Sequence, residues 1–170
     1  VLGQKENAAR AVDWLLDRAL DAWGRSRESE EKNAVILAKV LGRHYYRAFE
    51  EDGPEAKVAA YENLAPRDKD ARVRAGRLLE SGFEKERKGL WAEAAQDFRE
   101  AASRYERLGD RRRSGFAWKG LGDARRALKA YPEAVKSYDR ALRYLKAAGE
   151  EAEAARADLC AVSYTHLTLP

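Results

Sequence analysis

The sequence predicts an all-α protein, a stacked array of antiparallel helix hairpins. Three observations carry this expectation. The 170 residues are 45% apolar and 36% charged, and Ala, Glu, Arg, Leu and Lys dominate, which is the make-up of long helices. Apolar residues recur at helical spacing, with no sustained alternation of the kind a half-buried strand needs. The chain also matches itself without gaps at an offset of 40 residues, and a fixed period of that size is the mark of a helical array.

Taken in order, residues 6–24 carry Ala8, Val12, Leu15, Leu16, Ala19, Leu20 and Trp23 on one stripe, with charge on the other face. The polar run GRSRESEEK reads as a connection to a second helix over 31–50, broken by Gly53. Pro54 suits the first turn of a short third helix, because its missing N–H is unpaired there anyway. That helix must stop before Pro66, since the residue ahead of a proline avoids the helical region. A fourth helix is predicted over 69–88, with Ala71, Ala75, Leu78, Leu79, Gly82 and Phe83 on one stripe. A fifth spans 91–107, with Gly109 placed as a C-terminal cap. A sixth spans 111–128. A seventh spans 132–147, opened by Pro132 and closed by Gly149, and an eighth starts near Glu150. The short connections imply antiparallel neighbours.

The self-match aligns Gly89–Asp110 with Lys129–Glu150. Trp91 falls on Tyr131, Ala94 on Ala134, Phe98 on Tyr138, Ala101 on Ala141 and Gly109 on Gly149; one helix earlier, Leu78 falls on Trp118 and Gly82 on Gly122. The spacing Trp118-x-x-Leu121-Gly122 followed by Ala134-x-x-x-Tyr138-x-x-Ala141 resembles the tetratricopeptide repeat (TPR). A glycine inside a helix costs about 1 kcal/mol against alanine, so two at one phase point to backbones packed closely enough to offset it. The resemblance implies a superhelical solenoid used for protein–protein interaction. It covers residues 71–150 well and 150–161 partly, while 1–70 read as degenerate repeats or a cap on the same solenoid. Arg125 stands where the family has Tyr, the Pro that ends the second helix is absent with Lys146 in that region, and the period is 40 rather than about 34. This long-period variety is similar to arrays in bacterial signalling proteins.

The last nine residues, 162–170, break the pattern with Ser, Thr and Tyr and resemble translated sequencing adapter, so they read as a non-native tail. With no Met, even at position 1, the chain reads as a fragment of a longer bacterial protein.

No catalytic constellation emerges. His44 and His166 are the two histidines, and neither has the His or Cys companions of a zinc site. Cys160 cannot form an internal disulfide and reads as a small core residue, which fits a reducing, cytoplasmic setting. The four Trp read as core filling. No phosphate-binding glycine loop is present. No apolar run approaches the roughly 18 residues of a membrane span. Catalysis, metal, cofactor and small-molecule substrate are therefore not expected.

What remains is a binding surface. In stacked hairpins the first helix of each pair lines the concave side. The candidates beside the packing stripe are Leu79, Phe83, Glu86 and Arg87 on one helix and Phe116, Lys119, Asp123 and Arg126 on the next, a mixed surface for a protein or peptide partner. Within the family, some members clamp a chaperone's C-terminal carboxylate with Lys, Asn and Arg. Lys119 fits such a Lys, but Asp123 stands where an Asn is needed, so that ligand does not carry over. Two other readings stay open: a regulatory helical segment of a signalling protease or kinase, and a nucleic-acid binder using Arg104, Arg107 and Arg111–Arg113. The net charge of +4 arises from 33 basic residues interleaved with 29 acidic ones, which weighs against nucleic acid.

Overall fold

The computed structural model describes residues 2–49 and 53–165. Among them are eight helices and no strand: α1 (Leu2–Gly24), α2 (Glu28–Phe49), α3 (Gly53–Glu62), α4 (Pro66–Arg87), α5 (Trp91–Arg107), α6 (Arg111–Ala127), α7 (Tyr131–Ala147) and α8 (Glu151–Thr165). The chain divides into two compact units, Val1–Val73 and Arg74–Pro170. His166 and the last residues of the odd tail lie outside the described residues.

In the second unit, a turn of constant geometry joins successive helices, of which α5, α6 and α7 each have 17 residues. Gly89, Gly109, Lys129 and Gly149 recur every twentieth residue, with φ of 74°, 68°, 61° and 75°. At each, the amide donates to the carbonyl three residues back (Gly89 to Glu86, Lys129 to Arg126), and the next amide reaches back five (Leu90 to Lys85, Ala130 to Arg125). These paired bonds are the Schellman ending, which satisfies two orphan carbonyls of the outgoing helix. Lys129 occupies a left-handed position that glycine fills at the other three. Asp110 then caps α6 by accepting the Arg113 amide at 3.0 Å. Leu90 and Ala130 precede α5 and α7 with nearly equal dihedrals and no side-chain cap.

The packing within each hairpin follows from where side chains are missing. A Cβ on Gly115 would stand 2.6 Å from Leu145, and one on Gly122 would stand 2.6 Å from Tyr138. The contacts climb α6 as they descend α7, so the helices are antiparallel. The same order holds one hairpin earlier, where Gly76 faces Tyr105 and Gly82 faces Phe98. Phe98 is wedged between two glycines, since a Cβ on Gly120 would also stand 2.7 Å from its ring. Around these contacts Phe98, Tyr105, Leu121, Tyr138 and Leu145 are fully or almost fully buried, with Ala94, Ala101, Ala134 and Ala141 completely so. Cys160 is half-buried against Ala134, Tyr138 and Ala161.

In the first unit, α1, α2 and α3 pack against one another. Val12, Leu15, Ala38 and Val58 form one small core, and Ala19, Ala34 and Tyr61 another. Gly42 faces the backbone of α3, where a Cβ on it would stand 3.4 Å from Glu55. Pro66 begins α4 as its first residue, three positions ahead of the sequence expectation, where proline loses no hydrogen bond. One expectation fails outright. Trp14 does not fill a core; it is 59% exposed, with the Arg18 guanidinium 5.5 Å above its ring. Its helix already buries Val12 and Leu15 on either side of its phase, which turns Trp14 outward. His44 is exposed beside buried Tyr45.

Candidate interaction surface

The two glycines around Phe98 set α4 and α6 beside the same ring, and the residues next to those glycines share a face. On α4 these are Leu79, Phe83 and Glu86; on α6 they are Phe116, Lys119, Asp123 and Arg126. Leu79 and Phe116 are partly buried against the main hydrophobic core. Phe83 meets Phe98 edge-on at 5.0 Å between centroids and remains 37% exposed. It presents an apolar edge to solvent while its other side is fixed by the core. Arg112 lies 5.5 Å above the Phe116 ring.

Asp123 is the centre of the charged part. One carboxylate oxygen accepts the Tyr138 hydroxyl at 2.9 Å, and the other accepts Lys119 Nζ at 3.2 Å; Arg126 approaches to 3.8 Å. Tyr138 is completely buried except through this bond, so Asp123 is anchored to α7 through the core of the hairpin. The Tyr138 phenol is pushed well above its usual range, first by burial and then by Asp123. From α4, Glu86 joins the group. Burial raises its carboxyl above the usual range and the Asp123 charge raises it further, against the pull of Lys119 and Arg126. Glu86, Lys119, Asp123 and Arg126 thus form one cluster of both signs, bordered by Phe83. Arg87 is exposed at the end of α4, near Glu84, and lies outside that cluster.

Charges elsewhere are less uniform than the composition implies. Arg104 pairs with Glu100 at 2.6 Å, Arg112 with Glu150 at 2.6 Å and Arg113 with Asp110 at 2.7 Å. Within the run Arg111–Arg113, Arg112 and Arg113 are thus paired with different carboxylates.

The first unit holds a polar cluster that sequence reading missed. Glu31 on α2 is only 8% exposed. It accepts the Tyr61 hydroxyl at 2.9 Å and Lys69 Nζ at 2.6 Å. The Lys69 ammonium also lies 4.6 Å from the centres of both the Trp23 and Tyr61 rings, and Trp23 Nε1 donates to Asp70 at 2.9 Å. Burial, then the bond to Glu31, pushes the Tyr61 phenol far above its usual range. These groups line a cleft of about 790 Å³. Its members come from separate helices with no repeat to align them; the one available signal was two aromatics and a Glu at core phases with a Lys downstream.

Among the described residues no group of three His, Cys, Asp or Glu could hold a metal, and no helix is long and apolar enough to cross a membrane. No family model, curated protein or solved structure matches the chain.

Proposed function

We propose that the second unit is a tetratricopeptide-like array that binds a protein or peptide segment across the α4–α6 face. The supporting observation is the pairing of Phe83, held edge-on to the core yet 37% exposed, with the Asp123-centred cluster beside it. A rigid aromatic edge next to charges fixed in place has the features of a binding hot spot: little side-chain freedom is lost on contact, and the flanking charges set orientation. The repeat reading is supported by the recurrence of the glycine-under-aromatic contact at the 40-residue offset, Gly82 with Phe98 and Gly122 with Tyr138. In this reading the protein is a scaffold that performs no chemistry of its own and acts in the cytoplasm.

The test is selection of a displayed random-peptide library against the full chain, followed by affinity measurement with the Phe83→Ala, Arg126→Ala double variant. Enriched peptides should bind the parent and lose about tenfold or more on the variant while helicity stays unchanged. Equal affinity for both proteins, or no enrichment, would count against this face.

A further inference from the structure

The side of the second unit formed by α5, α6 and α7 is unevenly charged. Several cations of the unit meet carboxylates: Lys85 with Asp97 at 2.7 Å, Arg104 with Glu100 and Arg112 with Glu150 at 2.6 Å, and Lys119 with Asp123 at 3.2 Å. Along α7 they do not. A cleft of about 670 Å³ is lined by Glu106 of α5, Arg111 of α6 and Arg140, Arg143, Tyr144 and Ala147 of α7. Its one acidic member, Glu106, accepts Trp118 Nε1 at 2.7 Å, and its single negative charge faces the three arginines. The Arg140 guanidinium lies 4.5 Å over the Trp118 ring. Arg143 reaches the backbone carbonyl of Asp139 at 3.4 Å. Among the described residues no ion pair joins Arg111, Arg140 or Arg143 to a carboxylate.

The excess extends along α6, where Arg111, Trp118 and Arg125 stand seven residues apart and so share one stripe. Arg125 donates to Ser137 Oγ at 2.6 Å and to the Glu133 carbonyl at 3.2 Å. Burial lowers its pKa first, and the like charges of Arg99 and Arg140 lower it further, against the pull of Glu133. Arg140 thus has Arg125 near it along the stripe and Arg111 and Arg143 with it in the cleft. An anion in the cleft would offset their like charges.

We propose that the α5–α6–α7 cleft binds an extended acidic peptide segment, its carboxylates seated on Arg140, Arg143 and Arg111. The geometry favours a peptide. Residues three apart on a helix lie about 5–6 Å apart, and alternate side chains of an extended chain lie about 6.5–7 Å apart, so carboxylates at i and i+2 span Arg140 and Arg143. The Trp118 ring, 4.5 Å from the Arg140 guanidinium, holds it beside the cleft, where a guanidinium can take a carboxylate in a two-pronged bond. This cleft lies on a different stripe of α6 from Lys119, Asp123 and Arg126.

The experiment is a fluorescence-anisotropy titration of the full chain at low ionic strength with a labelled Gly-Glu-Gly-Glu-Gly-Glu-Gly peptide. The same peptide with Gln for Glu and a labelled single-stranded DNA oligonucleotide run beside it. Saturable binding of the Glu peptide but not the Gln peptide is expected, weakened about tenfold or more by Arg140→Glu with Arg143→Glu at unchanged helicity. Should charge reversal unfold the protein, Arg140→Gln with Arg143→Gln takes its place. Retained binding in the Phe83→Ala, Arg126→Ala variant separates this cleft from the α4–α6 face, and loss there would overturn the assignment. So would no saturation by about 1 mM peptide, which corresponds to roughly 4 kcal/mol of binding. Folded arginine variants that bind as the parent does would overturn it too. Tighter binding of the oligonucleotide through the same arginines would assign the cleft to nucleic acid instead.

Discussion

Gly122 and Tyr138 meet so closely that a Cβ on the glycine would stand 2.6 Å from the ring. The ring cannot swing away, because it is completely buried and its hydroxyl is tied to Asp123 at 2.9 Å. Gly122→Ala therefore sets two effects against each other. Helix propensity favours the alanine by about 1 kcal/mol, while overpacking a closed core costs about 1–3 kcal/mol. A net loss of up to about 2 kcal/mol in urea unfolding is expected. Gly76 makes the contrast, since its Cβ would meet only the Tyr105 hydroxyl at an ordinary 3.5 Å. Gly76→Ala should be neutral or stabilise by up to about 1 kcal/mol. Equal effects at the two sites would refute the packing account.

Lys129→Gly should stabilise the protein. Lysine here holds a φ of 61° in a turn that glycine serves at 89, 109 and 149. Relief of left-handed strain is worth about 1–2 kcal/mol, partly offset by the greater freedom of glycine in the unfolded chain. The expected gain is about 0.5–1 kcal/mol by thermal or urea denaturation, and a loss would mean that the Lys129 side chain contributes more than the turn costs.

Lys69→Met keeps the aliphatic stem between Trp23 and Tyr61 but strands the Glu31 carboxylate, which is 8% exposed. Removing one partner of a buried pair costs about 3–5 kcal/mol; with the Tyr61 hydroxyl still donating, a loss of about 2–4 kcal/mol is expected here. Adding Glu31→Gln should recover part of it. Trp23, beside the ammonium, offers a fluorescence readout of this unit's unfolding.

The raised Glu86 carboxyl makes stability depend on pH with a definite sign. The folded protein holds this proton more tightly than the unfolded chain does. Its contribution is complete below the ordinary value of 4.5 and is lost as pH rises through the raised folded value. Glu86→Gln, which mimics the protonated form, should raise the urea midpoint at pH 7 and leave it unchanged below pH 4.5. Destabilisation at pH 7 would show that Lys119 and Arg126 outweigh burial and Asp123.

These outcomes also mark what a reader of the sequence could see. Gly82 and Gly122, with Phe98 and Tyr138 downstream, are legible because the period repeats them and because glycine inside a helix needs a reason. The all-helical class follows from the same periodicity. The candidate residues of α4 and α6 could be placed by phase alone, but the bond from Tyr138 that makes Asp123 their centre could not, because it crosses from another helix. Glu31 and Lys69 were invisible for a similar cause: neither repeats, and Lys69 is matched by contacts rather than by spacing. Trp14 misled because an aromatic on an amphipathic helix suggests a core, whereas exposure is decided by what neighbouring helices leave uncovered. The arginines of α7 looked solvated in a list of alternating charges, and only the fold shows which of them lack a carboxylate.

The turns have one more consequence. Leu108 and Ala148 leave their helices in similar conformations and hand over to glycines with φ of 68° and 75°. Phe98 of α5 and Tyr138 of α7, forty residues apart, are both completely buried. The chain can thus be cut after Leu108 and rejoined at Gly149 without changing the local path of the backbone. Length, in this stretch, is a quantity that recombination can change in whole steps, with no new turn to invent at the seam.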